Sequence, residues 1–67
     1  MTMKIRYDAE VDVVYMRLTD AQILESEESE SGVIIDFGAE GQVVGLEFLN
    51  AKDFFSAKAI MEFQRAA

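Results

Sequence analysis

Residues 33–49, VIIDFGAEGQVVGLEFL, decide the fold because they read as two strands joined by a short turn. In residues 33–37 and again in 43–49, every second side chain is apolar, and this period of two is typical of a strand with one buried face. The segment GAEG between them supplies two glycines, for which the positive φ of a tight turn costs little. The stretch therefore predicts a β-hairpin.

The same pattern extends toward the N-terminus. Residues 3–8 alternate, residues 8–12 (DAEVD) carry a turn-forming Asp at each end, and residues 13–18 (VVYMRL) are rich in β-branched and aromatic side chains. Both faces of that last segment are partly apolar, which indicates a central strand or one lying against a second layer. Residues 19–22 turn the chain, and the run ESEESES at 25–31 follows.

The pattern changes after Asn50. Residues 51–67 show no β-alternation, contain no glycine or proline and are rich in helix-forming residues. We expect a helix over 53–65 with Asp53 as its N-cap. At 100° per residue it has two apolar faces. The first consists of Phe55, Ala59, Ile60 and Phe63, and the second of Phe54, Ala57 and Met61. One face can pack on the sheet, and the second predicts contact with a partner.

These elements predict one α+β domain over 1–67. Because every connection is short, we expect an antiparallel β-meander of about five strands over 3–49, with the C-terminal helix 53–65 packed on the sheet.

Composition limits the chemistry. The chain has 13 acidic and 6 basic residues, and its net charge of −7 repels phosphate backbones, so we expect no nucleic-acid binding. Cysteine and histidine are absent, which removes disulfides, thiolate sites and the commonest transition-metal ligand. We therefore expect no cofactor and no metal. We also expect no membrane association, since no apolar run approaches the roughly 20 residues needed for a span, and we expect a cytoplasmic location because no signal peptide is recognisable.

The size of the chain favours self-association. A domain of 67 residues buries only about 60% of its unfolded surface, and its hydrophobic fraction of 51% is more than one small core readily hides. Disulfides are not available to stabilise it. We therefore expect a homodimer that buries the helix.

Two carboxylate groupings are candidates for chemistry. Asp8, Glu10 and Asp12 alternate as in a calcium loop, but the glycine and the final glutamate of such a loop have no counterpart, so we expect a polar turn whose Asp side chains bond local backbone. Asp36 and Glu47 are expected to pair across the predicted hairpin, and close carboxylates can divide acid and base roles. The enzyme alternative is a divalent-metal-dependent hydrolase that uses Asp8, Asp12, Asp36 and Glu47.

The run ESEESES is polar on both faces of a strand. We expect a solvated edge strand, where charge discourages pairing with other chains, with Lys4, Arg6 and Arg17 as cross-strand counterions. The alternative is an acidic face, formed by Glu25, Glu27 and Glu28 together with Glu30, for a basic protein partner.

Three segments, KIRYDAEVDVVYMRL, ESEESESGVIIDF and EGQVVGLEFLNA, together resemble the bacterial family named Domain of Unknown Function 2283. The matched positions are Tyr7, Asp8, Asp12, Tyr15, Gly32, Val33, Asp36, Gly41, Val43, Val44, Gly45 and Glu47. The resemblance implies a small β-rich domain with a C-terminal helix and supplies no established activity. Some relatives are encoded beside a small protein that resembles a ribonuclease-type toxin, which motivates an antitoxin-like alternative.

The sequence therefore favours an uncharacterised, non-enzymatic protein-interaction domain that forms a homodimer. The predicted contact residues are Phe54, Ala57, Met61, Glu25, Glu27 and Glu28. The alternatives are an antitoxin-like neutraliser of a small basic protein and the metal-dependent hydrolase.

Overall fold

The computed structural model describes residues 3–66, and the side chains of residues 3–65. The elements are β1 (Lys4–Asp8), β2 (Val13–Arg17), β3 (Glu25–Glu30), β4 (Val33–Phe37), β5 (Val43–Leu49), a 3-10 helix (Ala51–Asp53) and α1 (Ala57–Ala66). The five strands form one antiparallel sheet. The predicted α+β class, with five antiparallel strands and one C-terminal helix packed on them, is confirmed.

The order of the strands is β1-β2-β5-β4-β3, which differs from a meander in chain order. The connection 18–24 crosses the end of the sheet and is held at both ends, by Leu18 N–H to the Val44 carbonyl at 2.8 Å and by Leu24 N–H to the Phe37 carbonyl at 2.9 Å. A meander would place the polar β3 in the centre of the sheet. In the observed order the apolar β2 and β5 are neighbours and β3, exposed at all six residues, is an edge strand.

One face of the sheet holds the core. Val14 and Val44 are fully buried on this face, and Ile60 of α1 is only 7% exposed. Phe48 of β5 contacts the ring of Phe55 edge to face at 5.0 Å. Three aromatic rings continue this packing into α1, since Phe55 meets Phe63 at 5.1 Å. The apolar helix face predicted from Phe55, Ile60 and Phe63 therefore covers the sheet.

The helix begins at Ala57 rather than at the predicted residue 53. Asn50 adopts a left-handed conformation with φ 57°, and Asp53 belongs to the short 3-10 helix that follows it. The cap of α1 is Ser56, whose Oγ accepts a hydrogen bond from the Ala59 N–H at 3.1 Å. The short 3-10 helix lets the ring of Phe55 pack on the sheet before α1 begins.

The β1–β2 turn carries its own hydrogen bonds, as predicted. The Glu10 N–H donates to Asp8 Oδ1 at 3.0 Å, and the Tyr7 hydroxyl donates to Asp12 Oδ1 at 2.8 Å. Asp12, with φ 56°, also accepts the N–H of Lys52 on its Oδ2 at 3.3 Å. This one residue therefore ties the N-terminal hairpin to the chain that leads into α1.

Candidate interaction site on the open sheet face

The sheet has a second face, opposite to the one that α1 covers. Because directly paired residues of antiparallel strands point to the same side, the strand register places two cross-strand rows on this face. We call it the open face and define it by Lys4, Arg6, Tyr15, Arg17, Ile34, Asp36 and Glu47.

Asp36 is a buried carboxyl group on the open face. It is only 4% exposed, and its Oδ1 accepts a hydrogen bond from the Ser26 hydroxyl at 2.6 Å. Its neighbour across the ladder is Gly45. A Cβ atom at residue 45 would lie 3.3 Å from Asp36 Oδ2 and 2.8 Å from the Met16 carbonyl oxygen. The glycine therefore leaves the space that the carboxyl group occupies.

Glu47 lies diagonally next to Asp36, since Glu47 pairs with Ile34 two residues earlier on β4. The pKa of Glu47 is raised, first by burial and then by a hydrogen bond to Asp36 and the charge of that group. The predicted pairing of these two carboxyl groups across the β4–β5 hairpin is confirmed. The environment of Glu47 favours the neutral form of its carboxyl group, and a nearby cation would stabilise the charged form.

The cationic side chains of the open face lie on β1 and β2. The Arg6 guanidinium carbon lies 4.7 Å from the centre of the Tyr15 ring, which is its direct cross-strand neighbour. Arg17 donates from Nε to the Thr19 carbonyl at 2.8 Å and from Nη2 to the Ala21 carbonyl at 2.6 Å. Arg17 thus holds the crossing connection, whereas Arg6 remains on the sheet surface.

A cleft of about 800 Å³ lies between these groups. Its lining combines open-face side chains with strand residues of the row between them, one residue of the crossing connection and Met3, which precedes β1. The lining residues are Met3, Lys4, Ile5, Arg6, Tyr15, Met16, Arg17, Ile23, Asp36, Leu46 and Glu47. The cleft is therefore cationic on its β1 side and anionic on its β4–β5 side.

The structure does not assemble the four carboxylates of the hydrolase alternative. Asp8 is the last residue of β1 and Asp12 lies in the β1–β2 turn. Asp8 is four residues along β1 from Lys4, whose row contains Asp36. At about 3.4 Å per residue this separates the two pairs by more than 10 Å. Among the residues that the structure describes, no three carboxylate, histidine or cysteine side chains cluster in a way that could hold a metal ion.

The predicted helical contact face of Phe54, Ala57 and Met61 is not one surface of α1. Phe54 precedes the helix and packs edge to face on Phe48, with ring centres 5.5 Å apart. Met61 is 57% exposed and Ala57 is also exposed on the helix. Their role in binding a partner stays a prediction, with Phe54 excluded from the helical face.

The acidic run forms β3, so the predicted polar edge strand is confirmed. Glu25, Glu27 and Glu28 are all exposed, and Glu28 accepts the Gly32 N–H on its Oε2 at 3.2 Å. The prediction that Lys4, Arg6 and Arg17 act as cross-strand counterions is wrong, because β1 and β3 are opposite edges of the sheet and β5 and β4 lie between β2 and β3.

Arg6, Tyr15 and Gly45 are the site residues that sequence reasoning missed. The alternation in 13–18 already placed Tyr15 with Arg17 on one face, but the pairing of β2 with β5, which brings that face beside Glu47, is not a local signal. Gly45 was the one residue without a side chain in an otherwise bulky strand, and such a glycine often marks a close approach.

Within the described residues, no helix is long and apolar enough to cross a membrane.

Comparisons with curated proteins and with solved structures gave no match. A family model matches residues 4–52, which include all five strands and end before α1. Asp36, Gly45 and Glu47, which meet on the open face, lie within the matched segment. The chain belongs to the family described as protein of unknown function (DUF2283).

Proposed function

We propose that this chain is a non-enzymatic protein-interaction domain that forms a homodimer through its open face. The observation that carries the proposal is the composition of that face, where Tyr15 lies between Arg6 and Glu47 and the aliphatic Ile34 of β4 lies next to Glu47. Interfaces are typically rich in Tyr and Arg, and a face with both signs of charge can match a second copy of itself.

The shape of the molecule supports this proposal. The Cα atoms extend only 17 Å along the shortest axis, which corresponds to one sheet and one helix layer. The accessible surface is 4696 Å², whereas scaling for a monomer of this mass gives about 4,200 Å². A second copy on the open face would reduce this accessible surface.

The open face is small for a stable protein–protein interface. Five strands at about 4.8 Å spacing and about five residues per strand give roughly 400 Å² in plan, less than the ~800 Å² that each partner contributes to a standard interface. We therefore expect a dissociation constant in the micromolar range.

Sedimentation velocity between about 1 and 500 μM tests the proposal. We expect a shift from the 7.5 kDa monomer toward twice that mass as concentration rises. Tyr15→Lys should remove the shift, because it places a charge at the centre of the interface, whereas the matched control Met61→Lys, on the outer surface of α1, should leave it unchanged. Circular dichroism checks that both variants fold. A wild-type chain that stays monomeric over the whole range would contradict the proposal, and loss of the dimer in Met61→Lys alone would move the interface to the helix.

The exposed glutamates of β3 support a second candidate, an antitoxin-like role toward a small basic protein. Glu25, Glu27 and Glu28 lie on the edge strand β3. Lys4 and Arg6 lie on β1, the edge strand at the other end of the sheet. The acidic edge strand can attract a cationic surface. Native mass spectrometry with the product of the neighbouring gene tests this role: a complex that the triple change to Gln weakens supports it, and the absence of any complex contradicts it.

The remaining attributes stay predictions. A role without catalysis is supported by the separation of Asp8 and Asp12 from the Asp36–Glu47 pair, and the cytoplasmic location is untested. Thermal shift with Ca²⁺, Mg²⁺ or Mn²⁺ tests the enzyme alternative, which predicts stabilisation by one of these ions.

A further inference from the structure

Charge is distributed unevenly over the open face. The cations Lys4 and Arg6 lie on β1, whereas Glu47 and Asp36 lie on β5 and β4. Arg17 is already bonded to two carbonyl groups of its own connection. The free cations and the carboxyl pair are therefore on opposite sides of β2.

One cross-strand row contains the decisive groups. Arg6 pairs with Tyr15 across β1 and β2, and Tyr15 pairs with Glu47 across β2 and β5. Arg6 and Glu47 are thus two strands apart, about 10 Å at the backbone. In the described part of the chain the only ion pair is Arg65 with Glu62, at 3.8 Å. Arg6 and Glu47 face the same side without forming an ion pair with each other.

Two copies can be related by a two-fold axis that runs parallel to the strands and passes above Tyr15. This axis places β1 of each copy opposite β5 of the other. In such an isologous arrangement each contact occurs twice, once in each direction. We propose that, in the homodimer proposed above on which this inference rests, Arg6 of each copy binds the partner subunit's Glu47, with the two Tyr15 rings in contact on the axis.

The dimensions suit this contact. Stacked sheets lie about 10 Å apart, a gap that an Arg and a Glu side chain can bridge from opposite sides. The Arg6 guanidinium already lies over Tyr15, at 4.7 Å from the ring centre, so its side chain leans toward the axis. A guanidinium can donate two parallel hydrogen bonds to a carboxylate, which adds orientation to the charge attraction.

The carboxyl pair is suited to accept a cation. Asp36 is buried beside Glu47 and places a second negative charge next to the Glu47 carboxyl group. In the isolated chain this proximity and burial raise the pKa of Glu47, so the monomer contains an unfavourable carboxylate that a guanidinium would relieve. Within one copy, the Arg6 guanidinium lies over the ring of Tyr15, between the two strands, and forms no ion pair with Glu47 in the described part of the chain.

Charge exchange tests the inference. Arg6→Glu and Glu47→Arg should each weaken dimerisation by about tenfold or more, because each places two like-charged contacts in the homodimer. An equimolar mixture of the two variants should form a heterodimer in which both contacts are Glu with Arg, detectable by isotope labelling of one variant and native mass spectrometry. The double variant R6E/E47R should dimerise like the wild type.

Neutral and matched controls complete the design. Arg6→Gln and Glu47→Gln remove the attraction without adding repulsion, so they keep the test informative if a reversed charge disturbs the fold. Lys58→Glu and Glu40→Arg make the same changes of charge at exposed positions outside the open face and should leave dimerisation unchanged.

The outcomes separate the two proposals. If the wild type dimerises and the single variants do so equally well, the Arg6–Glu47 contact is wrong while the homodimer stands. If the single variants dissociate and neither the mixture nor the double variant recovers, the open face is the interface but this pairing is wrong. If the wild type is monomeric throughout, the proposed function itself fails.

Discussion

The hydroxyl group of Ser26 donates a 2.6 Å hydrogen bond to the buried carboxyl group of Asp36. It connects the acidic edge strand to the open face. Ser26→Ala removes a donor from a carboxyl group that is 4% exposed, and an unsatisfied buried acceptor costs about 1–3 kcal/mol. We expect the free energy of unfolding in urea to fall by that amount. Ser29→Ala, on the exposed part of the same strand, is the control, and equal losses in both variants would contradict the role of Ser26.

Gly45 should tolerate no side chain. In Gly45→Ala the new Cβ atom would meet the Met16 carbonyl oxygen at 2.8 Å, and that oxygen belongs to the backbone of the adjacent strand. Overpacking of this kind costs about 1–3 kcal/mol. The control is Gly41→Asn, since residue 41 has φ +77° with open space around it and Asn accepts that conformation better than other residues with side chains. Denaturant unfolding should show a clear loss for Gly45→Ala and a smaller one for Gly41→Asn.

Asp12 should matter for its side chain and for its backbone. Asp12→Ala loses the hydrogen bonds from the Tyr7 hydroxyl and the Lys52 N–H and places alanine at φ 56°, a left-handed conformation that costs about 1–2 kcal/mol. Asp12→Asn keeps an acceptor and a residue that adopts this conformation. We expect a clearly lower melting temperature for Asp12→Ala and a small change for Asp12→Asn. If Asp12→Ala and the wild type have the same melting temperature, the stability of the turn does not depend on Asp12.

The raised pKa of Glu47 predicts a pH dependence. Burial, followed by the hydrogen bond to Asp36 and its charge, makes the folded chain retain the Glu47 proton to higher pH than the unfolded chain does. This contribution to stability is complete below the unfolded pKa of about 4.3 and is lost as pH rises through the folded pKa. Glu47→Gln should therefore remove part of the decline in unfolding free energy as the pH rises above the unfolded pKa.

That comparison belongs at the lowest workable protein concentration, because dimerisation would stabilise the charged form of Glu47 and oppose the trend. Glu40→Gln, which removes one carboxylate from the β4–β5 loop, controls for the general loss of charge. If the two variants have parallel pH profiles, the environment of Glu47 is not the cause.

Local patterns predicted most of the fold. Alternation located β1, β4 and β5, the β-branched and aromatic side chains of residues 13–18 located β2, and the polarity of ESEESES identified β3 as an edge. All three signals depend on neighbouring residues in the chain. The order of the strands depends on the pairing of β2 with β5, which no local pattern encodes. The start of the helix was wrong for a related reason: Asp53 and Ser56 are both good caps, and the packing of Phe54 and Phe55 on Phe48 decides between them.

The candidate site was predictable in part. Asp36 and Glu47 were expected to pair because a hairpin joins their strands and the alternation places them on one face. The other half of the site, Arg6 and Tyr15, belongs to the N-terminal hairpin and joins the carboxyl groups only through the contact of β2 with β5. Sequence reasoning accordingly found the anionic half and missed the cationic half.

The position of β5 between β2 and β4 also has a consequence for biosynthesis. β1 with β2, and β3 with β4, can each form as the nascent chain emerges, but the two hairpins share no hydrogen-bonded ladder until β5 enters between them. Pairings of long sequence separation form slowly, and an unpaired strand edge is prone to aggregate while it waits. Until Leu49 has been translated, the growing polypeptide contains two separate hairpins. Each exposes an apolar strand, β2 or β4, that only β5 can pair with.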